Sequence, residues 1–333
     1  MSPRYRRASE HEGAASRWGA AIICAMTAPF FFVVNPAAGS GRADTAWLDV
    51  MRAARASGLI FEYETTQGPL TATSFTRQAL RAGAETVVAV GGDGTINEVV
   101  NGFFLDGALV RPGSSLGLIP LGSSSDIARS LGIPGGAGGL DILIHGRPLP
   151  VDVGHADLED GAGRSFAYYF VNDAAVGVGA RIAAGRSPLD RVGGRAAVFL
   201  SSLDVLTKPS PWTGTLQIDD GDAQEVCAVT VVAALGPYTG GGMHIAPGAK
   251  IDDGLFDVVV IDAMSSAELI ANLPRIYAGA HLSHPKVHVH RARTVHIATE
   301  DRPPIELDGE VVGVGGATFN VLPGTLPVYL SRP

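Results

Sequence analysis

The residues best suited to chemistry in this sequence sit in glycine-rich loops. Gly91-Gly92-Asp93-Gly94-Thr95 follows a short β-branched run and precedes a helical pattern. There the free N–H groups of a helix start can face a phosphate, and glycines let it approach the main chain. Asp93 can hold a cation or a cationic side chain beside it. A tight strand-to-helix turn with Asp93 as the helix cap fits the same residues. The segment is not a Walker loop, since no Gly-Lys-Ser/Thr follows, and it is not the dinucleotide Gly-x-Gly-x-x-Gly. Asn35-Pro36-Ala37-Ala38-Gly39-Ser40-Gly41-Arg42 offers a second phosphate contact, or an ordinary loop. Gly122-Ser123-Ser124-Ser125-Asp126 offers three hydroxyls and a carboxylate ahead of a helix, or simply an N-cap.

Two acidic turns carry a different chemistry. Asp252-Asp253-Gly254-Leu255-Phe256-Asp257 puts three carboxylates within six residues, ahead of a hydrophobic run. Hard divalent cations prefer such oxygens, so Mg²⁺ is a natural guest, and a solvated turn is the alternative. Leu307-Asp308-Gly309-Glu310 contains Asp-Gly, a common hairpin turn. As a site it places two carboxylates on one loop, one able to accept a proton from an attacking hydroxyl. His281, His284, His288 and His290 are scattered over strand and loop without cysteine or carboxylate partners at suitable spacing, which argues against a transition-metal site. No nucleophile elbow or Ser/His/Asp order supports hydrolysis.

These loops need a frame that brings them to one edge. Phe30 to Val34 reads as a buried strand and Leu59 to Thr65, Thr86 to Val90 and Leu116 to Ile119 as further strands, alternating with helices over 44–56, from Gly68 to about Ala82, and from Ile96 to near Gly102. That alternation predicts a parallel α/β sheet, in which ligands bind beyond the carboxyl ends of the strands. After about Pro150, short alternating apolar runs dominate, with helices only near 195–206 and 266–278, which predicts a mostly antiparallel β domain. Leu326 to Leu330 is expected to return to the first domain. The expected division is therefore a leader or misassigned start over 1–26, an α/β domain over 27–150 with 325–333, and a β domain over 151–324.

Composition narrows the function classes. The chain of 333 residues is 46% hydrophobic and 17% charged, enough for two folded domains. A net charge of -8 argues against nucleic acid, which demands concentrated positive charge. Two cysteines, Cys24 and Cys227, form neither a disulfide framework nor a zinc motif, which fits a reducing cytoplasm. No run is long and apolar enough to span a bilayer.

Taken together and in this order, the motifs resemble the diacylglycerol kinase catalytic family, which includes sphingosine kinases and bacterial lipid kinases. The resemblance runs from about Phe30 to Pro333 through the Asn35-Pro36 loop, Gly91 to Glu98, Gly122 to Asp126, Val151-Asp152-Val153-Gly154, Gly240 to Pro247, Asp252 to Asp257 and Leu307 to Glu310. It implies an N-terminal α/β domain, a C-terminal antiparallel β-sandwich and ATP in the cleft between them. It further implies that Asn35, Pro36, Ala37, Ala38, Gly39, Thr66, Gly92, Asp93, Gly94, Thr95, Ile96, Asn97, Glu98 and Ser123 line the nucleotide. Asp93, Asp126 and Asp152 would form a charged network near the phosphates. Asp253, with the carbonyls of Phe256 and Val258, would hold Mg²⁺, and Glu310 would be the proton acceptor with Asp308 beside it. The acceptor would be a lipid alcohol such as diacylglycerol, met at the membrane surface by a cytoplasmic enzyme, and a homodimer is compatible with the family. Ser124, Ser125 and Leu235 depart from residues common in relatives. An NAD kinase, or a silent lipid- or nucleotide-binding member of the family, is the competing expectation.

Overall fold

The computed structural model describes residues 28–122, 125–159, 164–184, 205–208 and 210–331. The expected leader and nearly all of the helix expected near 195–206 lie outside the described residues. The chain divides into two compact units, one of residues 1–121, 133–149 and 326–333, the other of 122–132 and 150–325. The sequence reading assigned 122–132 to the first domain. In the structure that segment is held in the second unit, where Ser130 and Asp126 bond the loop around Tyr238 and Gly241.

The first unit is a parallel sheet built from β1 (Phe30–Val34), β2 (Phe61–Thr65), β3 (Thr86–Gly91) and β6 (Ser115–Pro120), in the order β6-β3-β1-β2. A short hairpin, β4 (Phe104–Leu105) and β5 (Ala108–Leu109), precedes β6. Its helices are α1 (Arg42–Ala56), α2 (Thr71–Ala82) and α3 (Asp93–Phe103), and α5 (Ala137–His145) follows α4 (Asp126–Ser130) of the second unit. Every residue of β3 and β6 is buried, as the continuous apolar runs require when helices cover both faces. Phe32, Val34, Val88 and Ile119 pack with Trp47 and Val50 of α1 and Leu140 and Leu143 of α5, with the Phe32 and Trp47 rings 5.6 Å apart. The α5 helix escaped the sequence reading because Ala137-Gly138-Gly139 opens it with poor helix formers.

The second unit is antiparallel. Its strands are β7 (Arg147–Glu159), β8 (Ser165–Phe170), β9 (Asp173–Gly177), β10 (Trp212–Ile218), β11 (Gln224–Ala234), β12 (Phe256–Asp262), β13 (Val287–Ala292), β14 (Thr294–Ala298), β15 (Pro304–Leu307), β16 (Glu310–Val314) and β17 (Ala317–Leu330), joined by α6 (Val178–Ala184) and α7 (Ser266–Tyr277). The first half of β11 pairs β10, and its second half pairs β9 on one edge and β12 on the other, so this strand passes between the layers of a β-sandwich. Gly315 takes a left-handed φ of 105° just past the end of β16 and separates it from β17. The last residues of β17 belong to the first unit, where Val328 pairs Leu116 in parallel. α7 starts with a capping box between Ser265 and Glu268.

One glycine explains a motif. Gly154 faces Phe170 across β7 and β8, and a Cβ there would lie 2.1 Å from the Phe170 ring. That ring in turn stacks on Phe256 at 5.8 Å and meets Phe319 edge-on at 6.1 Å. Glycine in Val151-Asp152-Val153-Gly154 is therefore a packing requirement of the sandwich core.

Candidate active site

In the first unit the loops after β1, β2 and β3 leave the carboxyl edge of the parallel sheet together. Asn35 N–H bonds Val90 O at 2.9 Å and Thr66 N–H bonds Val34 O at 2.8 Å. The Asn35 side chain ties two loops, donating from Nδ2 to Thr95 Oγ1 at 2.9 Å and accepting at Oδ1 from Ala37 N–H at 3.0 Å. Pro36 follows, and Ala38–Gly41 forms a single 3₁₀ turn with Gly39 at a φ of 60°. The α3 helix begins at Asp93 with Gly92 as its extended N-cap, a residue with no side chain to cap the first N–H groups. A helix start without a side-chain cap is a standing invitation to an anion. Asp93 sits in that first turn, half-buried, and a carboxylate there calls for a cation when a phosphate is also present.

Three residues of this stretch do other work. Ile96 and Asn97 are completely buried, so their side chains face the core and only their backbone can line a ligand. Glu98 Oε2 accepts the Ala72 N–H at 3.2 Å, supplying the cap that α2 lacks behind Leu70. Its own carbonyl accepts from Thr73 Oγ1 at 2.8 Å. Ser123 lies outside the described residues.

In the second unit the structure assembles a buried acidic centre. Asp126, in the first turn of α4, is ion-paired to Arg129 and accepts the N–H of Gly241. Gly240, Gly241 and Gly242 are all left-handed, with φ of 54°, 79° and 98°, which a run of L-residues would not adopt. That geometry explains the glycines of the Gly240 to Pro247 motif. The Arg129 guanidinium lies 5.6 Å from the Tyr238 ring, which stacks on His244 at 4.7 Å.

Asp308 and Gly309 form the turn between β15 and β16, at φ of 51° and 87°, the pairing that a two-residue hairpin requires. The Asp308 carboxylate is buried and accepts the backbone N–H groups of Val171 at 3.0 Å, Asn172 at 2.9 Å and Asp173 at 3.2 Å. In the structure it organises the backbone of this segment. Glu310 is the next residue but one, half-buried at the start of β16.

Asp152 is engaged in the same way. It is buried within the sandwich unit and accepts from Gly254 N–H and Gly324 N–H, both at 2.7 Å, so it pins two turns. Both of its carboxylate oxygens are engaged by backbone within the sandwich unit.

The expected Mg²⁺ donors do not fit a metal. The Asp253 carboxylate is already paired with Arg291 and accepts the Leu255 N–H at 3.2 Å. Phe256 and Val258 lie in β12, and Val258 is paired on both edges, with Ala233 and His290. Mg²⁺ demands near-octahedral oxygen, and here a guanidinium occupies the carboxylate while a sheet ladder holds the carbonyl. Burial pushes the neighbouring Asp257 carboxyl up, and Arg291 pulls it back. Among the described residues no three His, Cys, Asp or Glu side chains gather as a metal would need. His288 bonds Asp262 at 2.9 Å, and His281 is buried against Ile245 O at 3.0 Å.

The sequence reading missed Asp173 and Glu306, both buried beside Asp308. Asp173 opens the all-buried strand β9, and burial, followed by the charge of Asp308, pushes its carboxyl up from 3.8 to about 7. Burial, then the charge of Asp173, pushes Glu306 well up too.

Comparison with known proteins bears on most of the chain. Residues 29–156 match the diacylglycerol kinase catalytic domain, and residues 172–330 match the YegS C-terminal NAD kinase beta sandwich-like domain. A protein of Chromohalobacter salexigens named "Probable lipid kinase YegS-like" is 33% identical over 75% of this chain and 77% of its own length. The diacylglycerol kinase of Staphylococcus carnosus is 28% identical over 90% of this chain and 94% of its own. A crystal structure of a diacylglycerol kinase from Bacillus anthracis has the same fold, with a TM-score of 0.67 at 21% identity over 92% of this chain and 98% of that one. Sequence and fold together make this chain a member of the diacylglycerol kinase catalytic family.

Proposed function

We propose that the protein transfers the γ-phosphoryl group of ATP to a hydroxyl of a lipid, diacylglycerol or a related lipid alcohol. The observation that carries this reading is the glycine-capped start of α3 beside the Asn35 loop, held by the Asn35–Thr95 bond. Those N–H groups suit a phosphate chain, and phosphoryl transfer needs positioning and charge neutralisation more than covalent help. In this reading the Asn35 to Gly39 loop, Thr66 and the Gly92 to Thr95 turn bind the nucleotide, and Asp93 organises charge beside it. Mg²⁺ enters as the companion of the ATP phosphates, neutralising charge on their oxygens.

Glu310 accepts the proton of the attacking lipid hydroxyl, and the Asp308 turn presents it. The second unit receives the lipid, which is met at a membrane surface. No helix among the described residues is long and apolar enough to cross a membrane.

The test is incubation of the purified protein with Mg²⁺, labelled ATP, a lipid panel and NAD, followed by chromatography. A labelled lipid is expected, and it names the acceptor. Labelled NADP instead would move the protein to nucleotide phosphorylation, and ATP bound without any product would favour a silent binder.

The same assay checks the nucleotide loop. Asn35→Ala removes the side-chain bond to Thr95 that joins the β1 and β3 exits and the bond from Ala37 N–H that shapes the β1 loop. With about 1 kcal/mol per net hydrogen bond, the KM for ATP should rise roughly 5- to 30-fold. The KM for the lipid should stay near its original value, and an equal rise in both would place Asn35 outside the nucleotide site.

A further inference from the structure

Two carboxyl groups that this chemistry leaves unused are buried beneath the turn carrying Glu310. In the pairing of β15 with β9, Glu306 lies opposite Ala175 and Leu307 opposite Ala174. The Asp308 N–H bonds the Asp173 carbonyl at 2.9 Å, so the ladder continues with Asp308 opposite Asp173. Side chains alternate along a strand, which puts Asp173, Glu306 and Asp308 on one face, with Asp173 and Glu306 as diagonal neighbours.

The hydrogen bonds distinguish the three. Asp308 takes three backbone N–H groups and is satisfied as an anion. Glu306 Oε1 takes the Gly309 N–H. Asp173 Oδ1 takes Asn172 Nδ2 at 2.7 Å, while Asp173 Oδ2 and Asn172 Oδ1 are buried without a hydrogen-bond partner. The groups facing Asp173 are Asp308, Thr239, Asn172 and Asp126, and those facing Glu306 are Asp173, Gly309, Asp308 and Glu310. No cation is among them, and Arg129 is bound to Asp126. Buried carboxylates crowded without a cation take up protons instead.

These two residues also grip both amides of the turn. The Asp173 carbonyl accepts from Asp308 N–H, and the Glu306 carboxyl accepts from Gly309 N–H. We propose that Asp173 and Glu306 share one proton, and that this protonated pair is the positioning device that fixes the Asp308–Gly309 turn and so presents Glu310. The positioning half rests on the reading of Glu310 as proton acceptor; the shared proton does not.

The sign of the pH dependence follows. A carboxyl raised from 3.8 to about 7 on folding makes its full contribution below 3.8, and that contribution is lost as pH rises through about 7. Above that point a second charge must be held beside Asp308, and the turn loosens.

The experiment compares wild type with Asp173→Asn and Glu306→Gln by calorimetry and by kcat and KM for lipid phosphorylation, from about pH 5 to pH 9. In wild type the thermal midpoint should fall between about pH 5 and pH 7 and level off above that, and kcat at pH 8 should drop to roughly a tenth of its pH 6 value. Either amide variant should flatten both dependences, with the two kcat values nearly equal. Variants whose midpoints keep the wild-type slope would overturn the shared proton. A flattened midpoint with an unchanged kcat profile would overturn the positioning role. If no lipid is phosphorylated by wild type, the functional reading fails while the calorimetric slope still decides the proton. Should both variants fail to fold, pH-difference infrared spectra of wild type decide. A protonated carboxyl band that disappears above about pH 7 supports the pair, and its absence at low pH refutes it.

Discussion

Asp308→Ala should lower the thermal midpoint of the second unit by about 10 °C, and the loss of activity should follow from that loss of structure. The reason is the accounting of buried donors. Three consecutive N–H groups, those of Val171, Asn172 and Asp173, end on this one carboxylate. Alanine leaves them without an acceptor at about 1–3 kcal/mol each. Part of the loss is offset, because removing the charge eases the burial of Asp173, whose carboxyl Asp308 helps to push up. The net cost is about 4 kcal/mol, which at roughly 2–4 °C per kcal/mol gives the expected shift. Asp308→Asn retains one acceptor oxygen and should lose roughly half as much. Calorimetry on the three proteins checks this. An alanine variant that melts like wild type but is inactive would return Asp308 to a direct part in catalysis.

The turn also shows where sequence reading stops. Asp308-Gly309 was legible as a hairpin because both residues must take positive φ, and the structure has them there. The parallel sheet was legible too, since β3 and β6 are unbroken apolar runs between helical patterns. What local pattern does not contain is the second face of a strand. Glu306 alternates with Ile305 and Leu307 and reads as the solvated side of β15, yet all three are buried. Asp173 opens a run of small apolar residues and reads as a strand boundary, yet it has neighbours on every side. The only signal available was the oddity of acidic residues inside short apolar strands.

Asp152 and Glu98 went the other way. Both stand in motifs that point to phosphate, and both of their carboxylates hold backbone N–H groups in the fold. Motif spacing finds such residues because turns at a site need holding as much as ligands do. It does not separate the two tasks, because a carboxylate accepts an N–H from a turn as readily as it serves a ligand.

Glu310→Gln is the substitution in which rate and stability should part company. Glu310 is only half-buried, and its pairing with Leu307 in the hairpin uses backbone that glutamine leaves in place. The thermal midpoint should therefore stay within about 2 °C of wild type, as for most surface changes of under 0.5 kcal/mol. The amide keeps the shape of the side chain and loses its ability to accept the hydroxyl proton. In the labelled-ATP assay kcat should fall about 10²–10⁴-fold, with the KM for ATP nearly unchanged. Glu310→Asp is the sharper probe, since it keeps the base and withdraws it by one methylene. If the turn fixed by Asp173, Glu306 and Asp308 sets the reach of this carboxylate, a displacement on the order of 1 Å should still cost about 10²-fold. Aspartate restoring full rate would mean that the base tolerates displacement, and the elaborate support of the turn would then serve the fold alone. Glutamine retaining the rate would mean that another group takes the proton, and the half-buried Asp93 at the start of α3 would be the next carboxylate to replace.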